Sequence, residues 1–277
     1  MSIANTSLLI PAEQQPLAGR RVLVTAPRTY ALRLAQAILA QGGLPILMPT
    51  IETVLLADYM LLDDCLRRRS DFDWIAFTSR NGIEALLHRC EQLGLEATAL
   101  ADCRLAAIGR DADRLAELGL DPDLLPDEPS PRGIVAALGR MPTSAGQTIL
   151  VPAPHVEGFP EPDVIPNFVA ELQNIGMCVT RVPAYRTRLL GREHYAVELD
   201  LLRHGAIDAI AFSSAAEVTG FLAMISGPDD YCNSTICCFG PYTAANAQHM
   251  GLEPAIVAGD FSSFDGFVAA IAQVESR

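Results

Sequence analysis

The sequence has little positive charge. Its 277 residues include 20 Lys and Arg against 33 Asp and Glu, which gives a formal net charge of −13, and its longest basic run is residues 67–69. Because nucleic acids are bound through clustered Lys and Arg, we expect no nucleic-acid partner. The sequence also lacks an apolar run long enough to span a bilayer, so we expect no membrane association.

The first twenty residues lack the basic start and the continuous apolar core of a secretory signal. They hold Glu13 and two prolines, a composition typical of a segment that is not tied to a folded core. We therefore predict that residues 1–19 are a flexible lead-in and that the protein is cytoplasmic.

Cysteines and histidines are present but are not spaced as metal ligands. Seven cysteines and five histidines are scattered along the chain, and the adjacent pair Cys237 and Cys238 lies in an apolar, strand-like run. Zinc sites use short, paired spacings of these residues, so we expect no metal and interpret the cysteines as small core side chains in a reducing compartment. The glycine-rich and serine motifs of dinucleotide-binding, phosphate-binding and acyl-transfer enzymes are also missing, which disfavours those chemistries.

What the sequence does contain is one strand-and-helix pattern written twice. "AFTSRNGIEALL" at residues 76–87 and "AFSSAAEVTGFL" at residues 211–222 each run from an apolar strand through two hydroxyls into a helix. Matched landmarks, Phe77 with Phe212 among them, are about 131–135 residues apart. Short apolar strands alternate with amphipathic helices around them, as in parallel sheets. The sequence predicts an α/β protein of two similar domains, each a parallel sheet flanked by helices.

Small polar residues stand where the predicted strands end and the helices begin. In parallel sheets ligands collect at this edge, where helix N-termini present free N–H groups, and arginine binds carboxylates well. The candidates for such binding are Ser79, Arg80, Asn81, Gly109, Ser130, Ser214, Gly240, Thr243 and Arg28. Each hydroxyl or glycine is also suited to capping its helix, and each arginine to lying in solvent, so the sequence leaves both interpretations open.

Four segments carry a family resemblance through their order along the chain. They are "RVLVTAPR" at 21–28, "DWIAFTSRNGIEAL" at 73–86, "VPAYRT" at 182–187 and "FGPYTAANAQHMGL" at 239–252. Each segment is a weak signal alone, but the ordered set is fairly specific. From about Leu17 to the C-terminal region the chain resembles the uroporphyrinogen-III synthase family.

The resemblance implies a domain boundary different from that of the repeat. The repeat alone favours a division near residues 141–147, whereas in the family the first strand, helix and strand pack with the C-terminal part. We therefore expect a discontinuous domain, residues 20–52 plus 186–277, and an inserted domain, residues 53–185. A two-strand crossing would join them, with the cleft between them, and such a hinge lets a cleft close on a large substrate.

The resemblance also implies a reaction that needs no cofactor. The family acts on hydroxymethylbilane, a linear tetrapyrrole with eight carboxylates, which loses its terminal hydroxyl as water and closes to uroporphyrinogen III with ring D inverted. Tyr185 matches a family tyrosine and is the expected proton donor to the departing hydroxyl. Ser79, Ser214 and Thr243 match family residues expected to contact carboxylates. We expect a monomer that makes transient contacts with neighbouring pathway enzymes.

The sequence departs from the family pattern in two places. Ala112 stands where members often have a threonine, and residues 152–166 read as a long proline-rich loop in which the roles of His155 and Glu157 are not assigned. Tyr185 also suits simple packing at the domain crossing, with its ring buried and its hydroxyl wet. Two alternatives fit the same residues: a non-catalytic hinge protein that closes on an anionic ligand, and a domain of a larger tetrapyrrole enzyme.

Overall fold

The structure, a computed structural model, describes Pro11 and residues 14–275. The described chain divides into two compact units, of which unit 1 runs up to Glu52 and resumes at Arg188, while unit 2 comprises residues 53–187. The predicted flexible lead-in lies partly outside the described residues, at positions 1–10, 12 and 13. Leu17, however, is fully buried in the core of unit 1, and its N–H donates to the carbonyl of Gln41 at 2.9 Å. The packed chain therefore begins before residue 20.

Unit 1 is built on a five-stranded sheet whose neighbouring strands all run parallel. With elements numbered along the whole chain, the order across this sheet is β10 (Ile256–Val257), β9 (Thr235–Cys238), β8 (Ala209–Phe212), β1 (Arg21–Val24) and β2 (Leu44–Leu47). The helices of unit 1 are α1 (Arg28–Ala40), α7 (Ala196–Arg203), α8 (Ala215–Met224), α9 (Pro241–His249) and α10 (Phe264–Glu275).

Helices bury both faces of this sheet. On one face α1 packs Leu34 and Ile38, which share a side of the helix at a spacing of four, with Phe267 of α10. On the other face Phe221 of α8 packs in a second apolar cluster with Leu199 of α7. Residues of β1 alternate between the two clusters, as expected of a strand that is covered on both sides.

Unit 2 also contains a five-stranded sheet. Its order is β3 (Ile51–Val54), β7 (Cys178–Leu189), β6 (Thr148–Glu157), β4 (Trp74–Phe77) and β5 (Arg104–Ala107), and β4 runs parallel to both β5 and β6. Its helices are α2 (Met60–Arg67), α3 (Arg80–Gln92), α4 (Asp113–Ala116), α5 (Pro131–Gly139) and α6 (Val164–Asn174). The chain passes between the units within β3 and within β7. Together the two units confirm the predicted α/β class.

The inner strand β4 is buried at every residue and contributes to both apolar clusters of unit 2. Phe77 packs with Ile83 of α3, whereas Trp74 belongs to a separate cluster with Phe168 of α6. Trp74 is the single tryptophan of the chain. Its indole N–H donates to a side-chain oxygen of Gln147 at 3.0 Å, so its fluorescence reports on the packing of unit 2.

The proline-rich loop expected at residues 152–166 is shorter in the structure. Strand β6 continues through Pro152 to Glu157, and α6 begins at Val164, which leaves only residues 158–163 outside regular structure. Glu157 forms an ion pair at 3.1 Å with Arg186 of β7, the neighbouring strand. Each proline removes only one backbone N–H from the hydrogen bonds between neighbouring strands, so a strand can contain prolines. Counting prolines therefore underestimated how far β6 extends.

Helix α4 is a single short turn, Asp113–Ala116. The chain before it forms a 3-10 turn at residues 109–112, and Gly119 follows with a positive φ of 72°, a conformation that ends helices and favours glycine. Within the described residues, no helix is both long and apolar enough to cross a membrane.

Candidate functional site

The first candidate group lies in unit 2, where β4 ends and α3 begins. Ser79 is the N-cap of α3: its backbone is extended, and its Oγ accepts a hydrogen bond from the N–H of Gly82 at 3.3 Å. This contact satisfies one of the amide groups that a helix start leaves without an intrahelical partner. Ser79 is therefore a cap, but capping uses a lone pair of the oxygen and leaves its proton for another partner.

Tyr185 completes this group from β7. Its hydroxyl oxygen lies 3.2 Å from Ser79 Oγ, and the residue is only 8% exposed in the core of unit 2. Burial raises the pKa of Tyr185 to about 12, an effect that the Ser79 hydrogen bond opposes and the nearby charge of Asp111 reinforces. The phenol is therefore protonated at physiological pH, as a proton donor must be.

Arg80, the residue after Ser79, binds carboxylates of the protein itself. The N–H of Arg80 donates to Asp111 Oδ2 at 2.9 Å, and its side-chain Nε lies 3.4 Å from Glu84 Oε1. Gly109, with a positive φ of 53°, opens the 3-10 turn that carries Asp111. Because anions favour helix N-termini, Asp111 occupies part of the anion site that the sequence predicts here.

Asn81 and Ser130 have other partners within unit 2. Asn81 Nδ2 donates to Thr53 Oγ1 at 3.3 Å. Ser130 is the N-cap of α5, where its Oγ accepts the N–H of Gly133 at 3.0 Å and donates to Glu128 Oε1 at 2.6 Å. Ser130 is also only 3% exposed. Its proton and a lone pair are both engaged within its own helix start, which fits the capping interpretation.

In unit 1 the candidates Ser214 and Thr243 meet at the end of β8. Ser214 is the N-cap of α8 and accepts the N–H of Glu217 at 3.4 Å. Thr243, in the first turn of α9, donates to the carbonyl of Ser213 at 3.5 Å and is 7% exposed. Gly240 is the N-cap of α9. The structure thus brings two of the predicted hydroxyls of unit 1 to one strand end.

Arg28 is the first residue of α1, which follows β1, the strand beside β8. Its side chain is exposed, and its guanidinium lies beside the hydroxyl of Tyr195, the residue before α7. Burial raises the pKa of Tyr195, and the positive charge of Arg28 opposes that rise. The structure therefore gives Arg28 a tyrosine partner outside the Ser214 and Thr243 group.

Sequence reasoning missed a buried carboxyl at the same strand end, that of Glu217, which is 1% exposed. Its Oε2 accepts from the Ser213 N–H at 2.8 Å and contacts the Thr25 hydroxyl at 2.9 Å, while its Oε1 accepts from the hydroxyls of Ser213 and Ser214 at 2.5 and 3.0 Å. Burial raises the pKa of Glu217, and these hydrogen bonds oppose the rise. A signal was present, because residues 214–217 read S-x-x-E, the pattern of a capping box.

Comparisons with known proteins agree with this architecture. A family profile described as uroporphyrinogen-III synthase HemD matches residues 33–267. The uroporphyrinogen-III synthase of Synechococcus elongatus is 28% identical over 94% of this chain and 97% of its own length. The porphyrin biosynthesis protein HemD of Ruminiclostridium josui is 26% identical over 94% of this chain, which spans only 50% of that relative's length.

Solved structures share the fold. A crystal structure of a mutant uroporphyrinogen III synthase from Thermus thermophilus superimposes with a TM-score of 0.60 at 21% identity, covering 92% of this chain and 99% of that chain. A uroporphyrinogen-III synthetase structure from Helicobacter pylori gives a TM-score of 0.54 at 14% identity, with coverage of 92% and 99%. At these identities the likeness concerns the fold alone.

Proposed function

Since the chain belongs to the uroporphyrinogen-III synthase family, we propose that it is a cyclising lyase of tetrapyrrole biosynthesis. It converts linear hydroxymethylbilane into uroporphyrinogen III, with loss of water and inversion of ring D. The observation that carries this proposal is the hydroxyl pair of Ser79 and Tyr185, 3.2 Å apart at the carboxyl end of a buried strand. A neutral phenol held there is suited to donate a proton to a departing hydroxyl.

The proposed first step breaks the bond between carbon and the terminal hydroxyl of the substrate. Tyr185 donates its proton to that oxygen as the bond breaks, water leaves with the bonding electron pair, and the cation that remains is shared with the adjacent pyrrole nitrogen. Because burial holds the pKa of Tyr185 at about 12, a free phenolate is costly. A hydrogen bond donated by Ser79 stabilises the developing phenolate charge, which is electrostatic assistance at the place where charge forms.

Substrate binding must be local, because the net charge of −13 does not attract an anionic substrate from a distance. Helix N-termini and hydroxyls at strand ends offer the required donors. The proposed substrate contacts are those predicted from the sequence: Ser79, Arg80, Asn81, Gly109, Ser130, Ser214, Gly240, Thr243 and Arg28. The engaged hydroxyl of Ser130 supports a smaller role for it than for Ser79. We also propose that the enzyme is a cytoplasmic monomer that makes transient contacts with neighbouring pathway enzymes.

Freshly prepared hydroxymethylbilane tests the function directly. The protein is added, and the products are oxidised and separated as type I and type III isomers. We expect isomer III, because closure without control of conformation gives the uninverted isomer I. Formation of isomer I alone, at the rate seen without protein, would overturn the proposal and would favour a protein that binds without catalysis.

A further inference from the structure

The buried acid of unit 1 makes its strand end chemically different from the strand end of unit 2. The repeated segments align Phe212 with Phe77 and therefore place Glu217 at the position of Gly82. In unit 2 that position has no side chain. In unit 1 a carboxyl lies under two half-buried serines, Ser213 and Ser214.

The hydrogen bonds around Thr25 indicate that Glu217 carries a proton on Oε2. The single hydroxyl proton of Thr25 has two acceptors in reach, the Ala211 carbonyl at 2.8 Å and Glu217 Oε2 at 2.9 Å. A protonated Oε2 resolves this conflict, because Glu217 then donates to Thr25 and Thr25 donates to Ala211. Burial also raises the pKa of Glu217, and the groups that oppose the rise are hydroxyls and an amide rather than a cation.

A proton on Oε2 leaves Oε1 as an acceptor, and two hydroxyls point to it. Ser213 Oγ donates to Oε1 at 2.5 Å and Ser214 Oγ donates at 3.0 Å. Each serine has one hydroxyl proton, so both protons are engaged with the buried acid. Ser214 Oγ also accepts the N–H of Glu217 at 3.4 Å. What the two hydroxyls still offer outward is their remaining lone pairs, which accept hydrogen bonds.

The strand end of unit 2 has the opposite polarity. Ser79 and Tyr185 together carry two hydroxyl protons, and the bond between them uses one. The N–H of Gly82 occupies a lone pair of Ser79. One O–H proton of the pair therefore remains for an acceptor such as a carboxylate or a departing hydroxyl.

We propose that Glu217 is a positioning residue that turns Ser213 and Ser214 into acceptors for the pyrrole N–H groups of the substrate. This inference depends on the proposed function, and it changes the partner expected for Ser214 from a carboxylate to an N–H group. A carboxylate only accepts hydrogen bonds, so it forms none with a serine oxygen that offers only lone pairs. A tetrapyrrole has four N–H donors that need acceptors when it leaves water.

The test compares two ligands with the same four pyrrole N–H groups: uroporphyrinogen III, with eight carboxylates, and coproporphyrinogen III, with four. Their dissociation constants are measured anaerobically by calorimetry for the wild type and for Ser213→Ala. We expect both affinities to fall by the same factor, up to about ten-fold for one hydrogen bond, so that their ratio is unchanged. Ser234→Ala is the matched control, because Ser234 donates to the Ile207 carbonyl at the opposite, amino-terminal edge of the same sheet; it should change neither affinity.

A loss confined to uroporphyrinogen III would show that Ser213 binds a carboxylate and would overturn the inference. Glu217→Ala gives an independent readout, because it frees both serine protons. The ratio of affinities should then shift towards uroporphyrinogen III, and an unchanged ratio in a variant with a normal unfolding transition would also overturn the inference. If Glu217→Ala does not fold, the two dissociation constants of Ser213→Ala still test the inference.

Failure of the inference is distinguishable from failure of the proposed function. If the wild-type chain forms isomer III and Ser213→Ala weakens only the binding of uroporphyrinogen III, the proposed function stands and the inference is refuted. If the wild-type chain forms only isomer I and binds neither ligand, the proposed function and the inference are both refuted.

Discussion

Replacing Tyr185 by phenylalanine removes one oxygen atom and keeps the ring in the core of unit 2. Ser79 loses a hydrogen bond of 3.2 Å but keeps the N–H of Gly82. Ser79 is half-buried, so water can replace the lost partner. We therefore expect the free energy of unfolding of Tyr185→Phe to fall by no more than about 1 kcal/mol, and thermal unfolding followed by the single tryptophan measures this change.

The catalytic effect of the same change should be much larger. Removing a general acid typically lowers a rate by about 10²–10⁴-fold, which corresponds to roughly 3–5 kcal/mol in the barrier. The assay is the initial rate of isomer III formation from hydroxymethylbilane under saturating substrate. Because the pKa of Tyr185 is raised to about 12, deprotonation of Tyr185 should not limit the wild-type rate at or below about pH 10.

Two further variants show whether the effect belongs to the phenol. Ser79→Ala should slow the reaction less than Tyr185→Phe, because the phenol remains and only the stabilisation of its charge is lost. Thr243→Ala, in the other unit, should also slow it less. If Tyr185→Phe forms isomer III at the wild-type rate, Tyr185 has no role as the acid and the mechanism is refuted.

The remaining predictions concern stability. Gly133→Ala should cost about 1–3 kcal/mol, because a Cβ there would lie 2.0 Å from the carbonyl oxygen of Glu128; Gly139→Ala, in the same helix with only a 3.5 Å contact, is the matched control and should be neutral or stabilising. Equal melting temperatures for the two variants would contradict this. Arg89→Met should destabilise the fold at pH 7, because it leaves the carboxylate of Asp63 with only the longer ion pair to Arg67, at 3.8 Å. Arg89 lowers the pKa of Asp63, so this stabilisation exists above about pH 4 and disappears as the pH falls through the folded-state pKa. Denaturant titrations at pH 7 and pH 3 should therefore show a difference from wild type that narrows in acid, and a constant difference would contradict the argument.

The strands and helices of this fold were largely predictable because their signals are local. A strand such as β4 is a short apolar run followed by hydroxyls, and a helix such as α1 repeats its apolar residues on one side. Strand β6 was the exception. Its prolines resemble a loop in the sequence, whereas pairing with neighbouring strands, which sequence periodicity does not report, keeps it extended as far as Glu157.

The site was less predictable because its contacts join residues far apart in the chain. Ser79 and Tyr185 are separated by 106 positions and Thr25 and Glu217 by 192. The first pair was expected only through family resemblance, and neither residue predicts its partner. Glu217 was overlooked because a glutamate near a helix start usually has a solvent-exposed, capping role. Only the packing of β1 beside β8 brings Thr25 to it and buries the carboxyl.

The central claim is that this chain directs the closure of hydroxymethylbilane, and the fraction of isomer III measured against enzyme concentration tests it most directly. Uncatalysed closure to isomer I has a fixed rate, so the two routes compete for one substrate. The fraction of isomer III should rise with enzyme concentration and saturate near unity, and it should rise more slowly for Tyr185→Phe at equal protein concentration. A fraction of isomer III that stays at the protein-free value across the whole range would contradict the claim.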